Sequence, residues 1–431
     1  MPDPLDDLSP LPEPLDAPDL PDLVPDAAEA MRATQESVLA EMRGWGYHLV
    51  ATPTLERVET LAQGLDADEI RRLFKLTDRD GSVLAVVGER TIPVARLVGG
   101  RLRTVPFPMR LCYAGTVLTN DVGRFTHHRE WRQAGAELLG AAGPVADAEV
   151  IALAARCLRA AGLDGWQVDV GHAEFFLGLL DGIQAEHEVK QSIRAVLATR
   201  DFVALEHLLD RTPLRSAEHE LLLRFPGLRG GPEILDAAAN LVTSRRSARA
   251  LEELATVHRL LQAYDLGDAL RLDLGAIRDF EYYTGVILEA YLDALGRPLV
   301  QGGRYDHLLA RFGRPAPATG FVLNLDLVGD ALRQRVEAPA LTRLDAVVAW
   351  SRAGLEGALR LGATLRLFGL RAIVATEPQS LSVARSWALS AGARDLLHVG
   401  AGDSVRWVDP RGTVRRIAER AVVAELLRSR T

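Results

Sequence analysis

The sequence predicts an α+β fold, with an antiparallel sheet flanked by helices, a helical insert and a small C-terminal α/β domain. Three observations lead there. Short β-rich runs with Gly-containing turns fill the chain before residue 140 and return between 270 and 325. The stretch from 145 to about 265 keeps a helical apolar period, and the tail alternates strand and helix. At roughly 100 to 200 residues per domain, 431 residues call for two or three domains.

Residues 1–20 are rich in Pro, Asp and Leu, a composition that blocks helix and offers no periodic apolar face, so a disordered acidic tail is expected. From residue 27 to 45, Met31, Val38, Leu39 and Met42 recur at helical spacing, and Gly44 and Gly46 end the run. A strand over 47–51 follows, stopped by Pro53. Segments 74–77 and 82–87 flank Asp80-Gly81, the signal for a two-residue hairpin turn, and a helix starts near Thr91-Ile92-Pro93. Strands over 110–121 and Glu130–Leu139 enclose a polar loop, 122–129, too long for a tight turn. The helical insert, about 172–265, is preceded by an extended stretch at 166–171 and broken by a Gly-rich turn at 226–231. Strand character returns at 270–274, 282–292, 298–301 and 319–325, completing a core over 21–330. Beyond a linker at 334–342, strands at Ala346–Trp350, 372–375 and 396–399 alternate with helices, which makes 340–431 a separate domain.

Composition excludes several classes. With 48% hydrophobic and 25% charged residues and no apolar run near the ~18 a membrane span requires, no membrane role is expected. Met1-Pro2-Asp3-Pro4 is unlike the basic start of a secretory signal, so a cytoplasmic protein is expected. Cys112 and Cys157 are the only cysteines and lack CxxC spacing, which indicates neither a disulfide framework nor a zinc site, and no cofactor is expected. The net charge of −8 lies in the first 26 residues, which hold eight acids and no base; the remainder has 50 acids (58 minus 8) against 50 bases. A neutral body makes no general electrostatic case for nucleic acid.

Within Glu130–Leu139, side chains two apart share a face, so Gln133, Gly135 and Glu137 point the same way and Gly135 leaves room between two polar groups. Turned into a core unpaired, they would cost several kcal/mol of desolvation, so they need solvent or a polar ligand. An exposed sheet face and a pocket floor both meet that need. Gly88-Glu89-Arg90-Thr91 joins a strand to a helix, and Ala276-Ile277-Arg278-Asp279-Phe280-Glu281-Tyr282-Tyr283-Thr284-Gly285 enters another strand. Taken singly, Arg278 reads as a surface ion pair, Tyr282 and Tyr283 as a half-buried edge, and Gln301-Gly302-Gly303-Arg304-Tyr305-Asp306 as a turn.

Together, in order and spacing, these four segments resemble the class II histidyl-tRNA synthetases from about residue 23 to 328. The stretch Gly46-Tyr47-His48-Leu49-Val50-Ala51-Thr52-Pro53 looks like that family's first motif, and this resemblance implies a homodimer. Residues 278–285 resemble its Arg-Gly-Leu-Asp-Tyr-Tyr-Thr-Gly signature, and 302–306 its Gly-Gly-Arg-Tyr-Asp loop. Carried over residue by residue, the resemblance implies a histidine site. Glu89, Thr91 and Gln133 would hold the α-amino group, Arg278 the carboxylate side, Glu137 with Tyr283 the imidazole, and Tyr305 would close the pocket, with Tyr282 in the same set. The chemistry suits the ligand, since a carboxylate accepts from ammonium or imidazole N–H and Arg donates charge-assisted bonds to a carboxylate.

The ATP-handling motifs depart from that family. Its Phe-Arg-x-Glu run reads Leu118-Thr119-Asn120-Asp121 here, its next basic contact aligns with His127, and its final Arg aligns with Leu327. Adjacent His127 and His128 also raise a metal, but a solvated loop explains them and no metal is expected. Losing one preorganised charge contact costs about 3–4 kcal/mol at a transition state, so adenylate formation is not expected. An intact amino-acid half beside an altered ATP half resembles the family of ATP phosphoribosyltransferase regulatory subunits. Asp169-Val170-Gly171-His172, Ala198-Thr199-Arg200-Asp201 and Leu228-Arg229-Gly230-Gly231-Pro232-Glu233 look like that family's insert. This resemblance implies a non-catalytic protein of histidine biosynthesis, a short-form ATP phosphoribosyltransferase catalytic subunit as partner in a hetero-oligomer, and L-histidine as effector. The C-terminal domain, 340–431, resembles a degenerate anticodon-binding domain, which keeps a histidyl-tRNA synthetase or another histidine- or tRNA-binding paralogue as the alternative.

Overall fold

The computed structural model describes residue 20 and residues 22–120, 128–198, 201–242, 244–275, 283–335, 344–402, 404–409 and 412–428. Nearly all of the expected acidic tail lies outside them, as do His127, Arg278 and Tyr282. The chain forms two compact units, built mainly from Ala30–Arg335 and Val336–Thr431.

Among the described residues the first unit contains twelve strands: β1 (His48–Leu49), β2 (Leu55–Arg57), β3 (Lys75–Thr77), β4 (Val83–Val86), β5 (Met109–Leu118), β6 (Glu130–Leu139), β7 (Gln167–His172), β8 (Arg229–Gly230), β9 (Leu270–Asp273), β10 (Val286–Tyr291), β11 (Pro298–Arg304) and β12 (Ala318–Asn324). Nine of them make one sheet in the order β1-β5-β6-β12-β11-β10-β7-β9-β8. All neighbours are antiparallel except β1 with β5 and β7 with β9. The helix Pro144–Ala160 lies against the central strands, burying Val150, Ile151, Leu153, Ala154, Cys157 and Leu158. Its apolar residues occupy more than one stripe because neighbouring elements cover it on several sides. On the opposite side, the short helix Thr91–Gly99 and the turn Leu309–Phe312 pack against each other over a cluster that includes Ile92, Tyr113, Tyr305 and Leu308.

Alternation along β11 and β12 sends Arg304 and Thr319 to the face away from Gly303 and Gly320. Arg304 is buried there and bound to helix Pro144–Ala160, with Nη2 lying 2.8 Å from Asp147 Oδ1. Its Nη1 also donates to Asp306 Oδ1 at 3.0 Å and to the Ala141 carbonyl at 3.3 Å. The run containing Gly302, Gly303 and Arg304 is therefore strand, where the sequence left open a turn. An Arg with this many partners locks a loop in place rather than waiting for a ligand.

Several boundaries move. The Asp80-Gly81 turn is longer than the two residues expected: Asp78 N–H donates to Ser82 O at 2.8 Å and Gly81 N–H to Asp78 O at 3.0 Å, leaving 79–81 as a three-residue loop. Gly81 has φ +83°, the left-handed position that closes such a loop. The strand expected over 110–121 ends at Leu118, after which Thr119 N–H bonds the Arg129 carbonyl at 2.8 Å. The insert is helical apart from β8, whose Arg229 pairs with Asp169 of β7 and joins two motifs that are 60 positions apart in sequence.

In the second unit, β13 (Ala346–Trp350), β14 (Ala372–Val374), β15 (Asp395–Val399), β16 (Ser404–Val408) and β17 (Val414–Ala418) run in the order β14-β13-β15-β16-β17, with the first three parallel. The last two strands and the helix Glu419–Arg428 were not read from the sequence. Four of the five residues of β17 are exposed, so it shows no alternation to read. The unit's own core includes Val347, Leu361, Leu397 and Trp407, with Trp407 Nε1 donating to Asp395 at 2.7 Å.

Replacing Arg304 with Met strands the buried Asp147 carboxylate. Urea unfolding of Arg304→Met is expected to show a loss of about 3–5 kcal/mol, partly recovered when Asp147→Asn is added; an unchanged midpoint would show that the pair is not structural.

Candidate functional site

The centre of the sheet is floored by residues that keep side chains out. Glu137 of β6 sits opposite Gly320 of β12, which sits opposite Gly303 of β11. A Cβ on Gly320 would overlap the Glu137 carboxyl group, so glycine there is what allows Glu137 to lie flat across the sheet. Glu137 is 1% exposed. Its oxygens accept from the Tyr113 hydroxyl at 3.1 Å and from the Tyr305 hydroxyl. Burial pushes its pKa up to about 7 against the pull of Tyr305, Thr91 and Tyr113, and nearby Glu89 adds to the rise. Near neutral pH it is poised to accept an N–H or to donate its own proton.

Tyr113 corrects one expectation. The space beside Gly135 is not open, because a Cβ there would fall 2.5 Å from the Tyr113 ring carbon Cζ and its hydroxyl. Gly135 makes room for Tyr113, which then reaches Glu137. The exposed-face reading of this strand also falls, since Gln133 and Glu137 are both buried.

One wall comes from the start of helix Thr91–Gly99. Glu89 Oε2 accepts from Thr91 N–H at 2.8 Å and Oε1 from Ile92 N–H at 2.9 Å, so the carboxylate satisfies N–H groups that a helix start leaves free. Loss of solvent raises the Glu89 pKa, opposed by those N–H groups. Burial likewise pushes Glu69 up to about 7, with Glu89 again contributing. Glu89 thus disfavours charge on both Glu69 and Glu137, which favours a cation near it.

Gln133 is the sharpest signal. Among the described residues neither Oε1 nor Nε2 has a partner, although Gln133 is 1% exposed. Each unmet buried group costs about 1–3 kcal/mol, which a ligand offering both a donor and an acceptor would recover. Tyr283 stands over Gly303, where a Cβ would come within 2.9 Å of its ring, and it packs against the cluster containing Tyr305. The segment is stitched down by Thr284 N–H to Arg304 O at 2.8 Å and Asp306 N–H to Thr284 Oγ1 at 2.9 Å.

The structure therefore brings Glu89, Thr91, Gln133, Glu137, Tyr283 and Tyr305 to one face of the sheet. Arg278 and Tyr282 lie outside the described residues, so their places are not given. Sequence reasoning missed Tyr113 and Glu69. Neither carries a motif, and Tyr113 becomes visible only through its pairing opposite Gly135.

The altered positions have a different character. Thr119 is partly exposed just past β5, and Leu327 occupies the first turn of helix Leu325–Arg335. Asn324 Oδ1 accepts from both Asp326 and Leu327 N–H at 3.1 Å, and Asp326 pairs with Arg132 at 3.0 Å. This helix start is capped internally. Neither Thr119 nor Leu327 supplies a cation.

A carboxyl whose folded pKa is raised holds its proton in the native state while the unfolded chain has lost it, so it lowers stability as pH climbs from about 4.5 to about 7. Glu137→Gln is accordingly expected to stabilise the ligand-free protein by about 2–3 kcal/mol at pH 8 and by little at pH 5. Thermal or urea denaturation across that range checks it, and a difference independent of pH would contradict the raised value.

Comparison with known proteins agrees with this architecture. The family model described as histidyl-tRNA synthetase matches residues 19–328. An ATP phosphoribosyltransferase regulatory subunit of Desulforamulus reducens is 37% identical over 382 residues, covering 89% of this chain and 95% of that protein. One from Moorella thermoacetica is 41% identical over 305 residues, covering 71% and 78%. Among solved structures, an ATP phosphoribosyltransferase regulatory subunit/histidyl-tRNA synthetase of Bacillus halodurans superposes with a TM-score of 0.80 at 28% identity, covering 91% of this chain and 100% of the other. With a synthetase-like core spanning most of its length and relatives this similar over 71% to 89% of it, the chain belongs to the family of ATP phosphoribosyltransferase regulatory subunits, built on the histidyl-tRNA synthetase fold.

Proposed function

We propose that this chain is the non-catalytic regulatory subunit of an ATP phosphoribosyltransferase in the cytoplasm. It would join a short-form catalytic subunit for the first step of L-histidine biosynthesis, with L-histidine as the effector bound over Glu137. The observation that carries the reading is the contrast between the two halves of the site. Gln133 is buried with both polar atoms unmet, beside acids that favour a cation, whereas Thr119 and Leu327 carry no charge for a phosphate.

Histidine matches the pocket group by group. Its ammonium suits Glu89 and Gln133 Oε1, and its imidazole suits Glu137 among the hydroxyls of Tyr113 and Tyr305. A site whose buried polar groups demand partners rejects ligands that leave them unpaired. Absence of cations at two former phosphate contacts, each worth about 3–4 kcal/mol at a transition state, argues against adenylate formation. Regulation would follow by linkage: histidine binds one arrangement of the complex better than another, and the favoured arrangement is the less active one.

Homodimerisation through the sheet edge is part of the same reading. The outermost strand β1 pairs on one side with β5 while His48 and Leu49 remain exposed, an edge that another chain can cover.

The test is reconstitution. Mixed with a short-form transferase, the chain should raise phosphoribosyl-ATP formation, and histidine should suppress the activated rate. No complex and no activation would reject the regulatory role, whereas histidine-dependent ATP–pyrophosphate exchange by this chain alone would assign it to the synthetases.

A further inference from the structure

One more buried group of this site lacks a partner. Arg90 lies between Glu89 and Thr91 and is 5% exposed. Its Nη1 donates to the Thr52 carbonyl at 3.1 Å and Thr52 Oγ1 at 3.2 Å, and its Nη2 to the Thr116 carbonyl at 2.8 Å. These acceptors are all neutral, and Nε has none among the described residues. A guanidinium held away from water with one N–H unanswered is costly unless something anionic completes it.

Its location is set by glycine. Gly115 of β5 pairs directly with Gln133 of β6, so both face the pocket side of the sheet. A Cβ on Gly115 would fall 2.6 Å from Arg90 Cζ, Nε and Nη2. The guanidinium therefore fills the place of a Gly115 side chain, next to Gln133.

Three unmet polar atoms then belong to one neighbourhood: Arg90 Nε and Gln133 Nε2 as donors, and Gln133 Oε1 as an acceptor. The head of an α-amino acid answers all three, because it carries an anionic acceptor and a cationic donor on adjacent atoms. We propose that Arg90 binds the α-carboxylate of the amino-acid effector, with one carboxylate oxygen accepting from Arg90 Nε and Gln133 Nε2 while the ammonium donates to Gln133 Oε1 and Glu89. This rests on the reading that histidine occupies the pocket, and it adds a cation from the Glu89–Thr91 turn to the one that resemblance places at Arg278.

A purely structural Arg90, bridging Thr52 to Thr116, would support the pocket for any ligand. A carboxylate-binding Arg90 matters only for ligands that have a carboxylate. Calorimetric titration of the wild type, Arg90→Met and Arg90→Lys with L-histidine and with histamine, which lacks the carboxylate, separates the two. The wild type should favour histidine over histamine by roughly ten- to hundredfold, the range for a hydrogen bond to a charged group. Arg90→Met should cut that preference about tenfold, the share of one hydrogen bond to a charged group, while binding histamine as the wild type does. Arg90→Lys keeps a cation but no N–H at the Nε position and should lose part of the preference, which gives a second reading if the Met variant does not fold. Equal weakening of both ligands, or an unchanged preference in a folded variant, overturns the role of Arg90 alone. A wild type that binds neither ligand removes the histidine reading itself and the proposal with it.

Discussion

A single carboxyl group, buried in the middle of a β-sheet, sets the terms for the rest of the core. Glu137 cannot be held there without donors around it and without space beside it. The hydroxyls of Tyr113 and Tyr305 are the donors, with Thr91 adding to their pull, and Gly320 is the space. Each demand reaches outward. Tyr113 fits only because Gly135 has no side chain, and Tyr305 is carried at the end of β11 by Arg304, which Asp147 and Asp306 fix from the other face. Thr91 arrives on a helix whose first N–H groups are satisfied by Glu89. Glycines and tyrosines that look like ornaments of separate motifs are consequences of one desolvated charge.

That arrangement also explains why the pocket is selective in kind. Buried Glu89, which raises the pKa of Glu137, favours a cationic ligand, while unmet amide and guanidinium groups call for an anionic oxygen close by. A zwitterion meets both requirements, and a nucleotide phosphate meets only the second. The turn at Asn324 and Asp326 is already satisfied internally.

Much of this was legible in the sequence, and the reasons differ from part to part. The strand Glu130–Leu139 was read with its boundaries intact, because alternation and flanking polar residues mark it on both sides. The shared face of Gln133 and Glu137 followed from the period of two, but its burial did not, since a polar pair reads equally as floor or surface. Tyr113 was invisible for a related reason: its role depends on the glycine opposite it, and cross-strand partners are a product of register, whereas Arg90 sits in the turn before helix Thr91–Gly99 and meets Gly115 only through packing. The turn at 79–81 exceeded its expected two residues because Asp78 and Ser82 bonded ahead of it, and β17 escaped notice because a mostly exposed edge strand has no apolar rhythm.

The central idea is selective loss, with an amino-acid half kept and a nucleotide half given up. Parallel calorimetric titration of the purified chain with L-histidine and with magnesium-ATP tests it most directly. Saturable binding of histidine with no heat of binding from ATP at millimolar concentration is the expected result. Saturable ATP binding, or ATP binding strengthened by histidine, would contradict it.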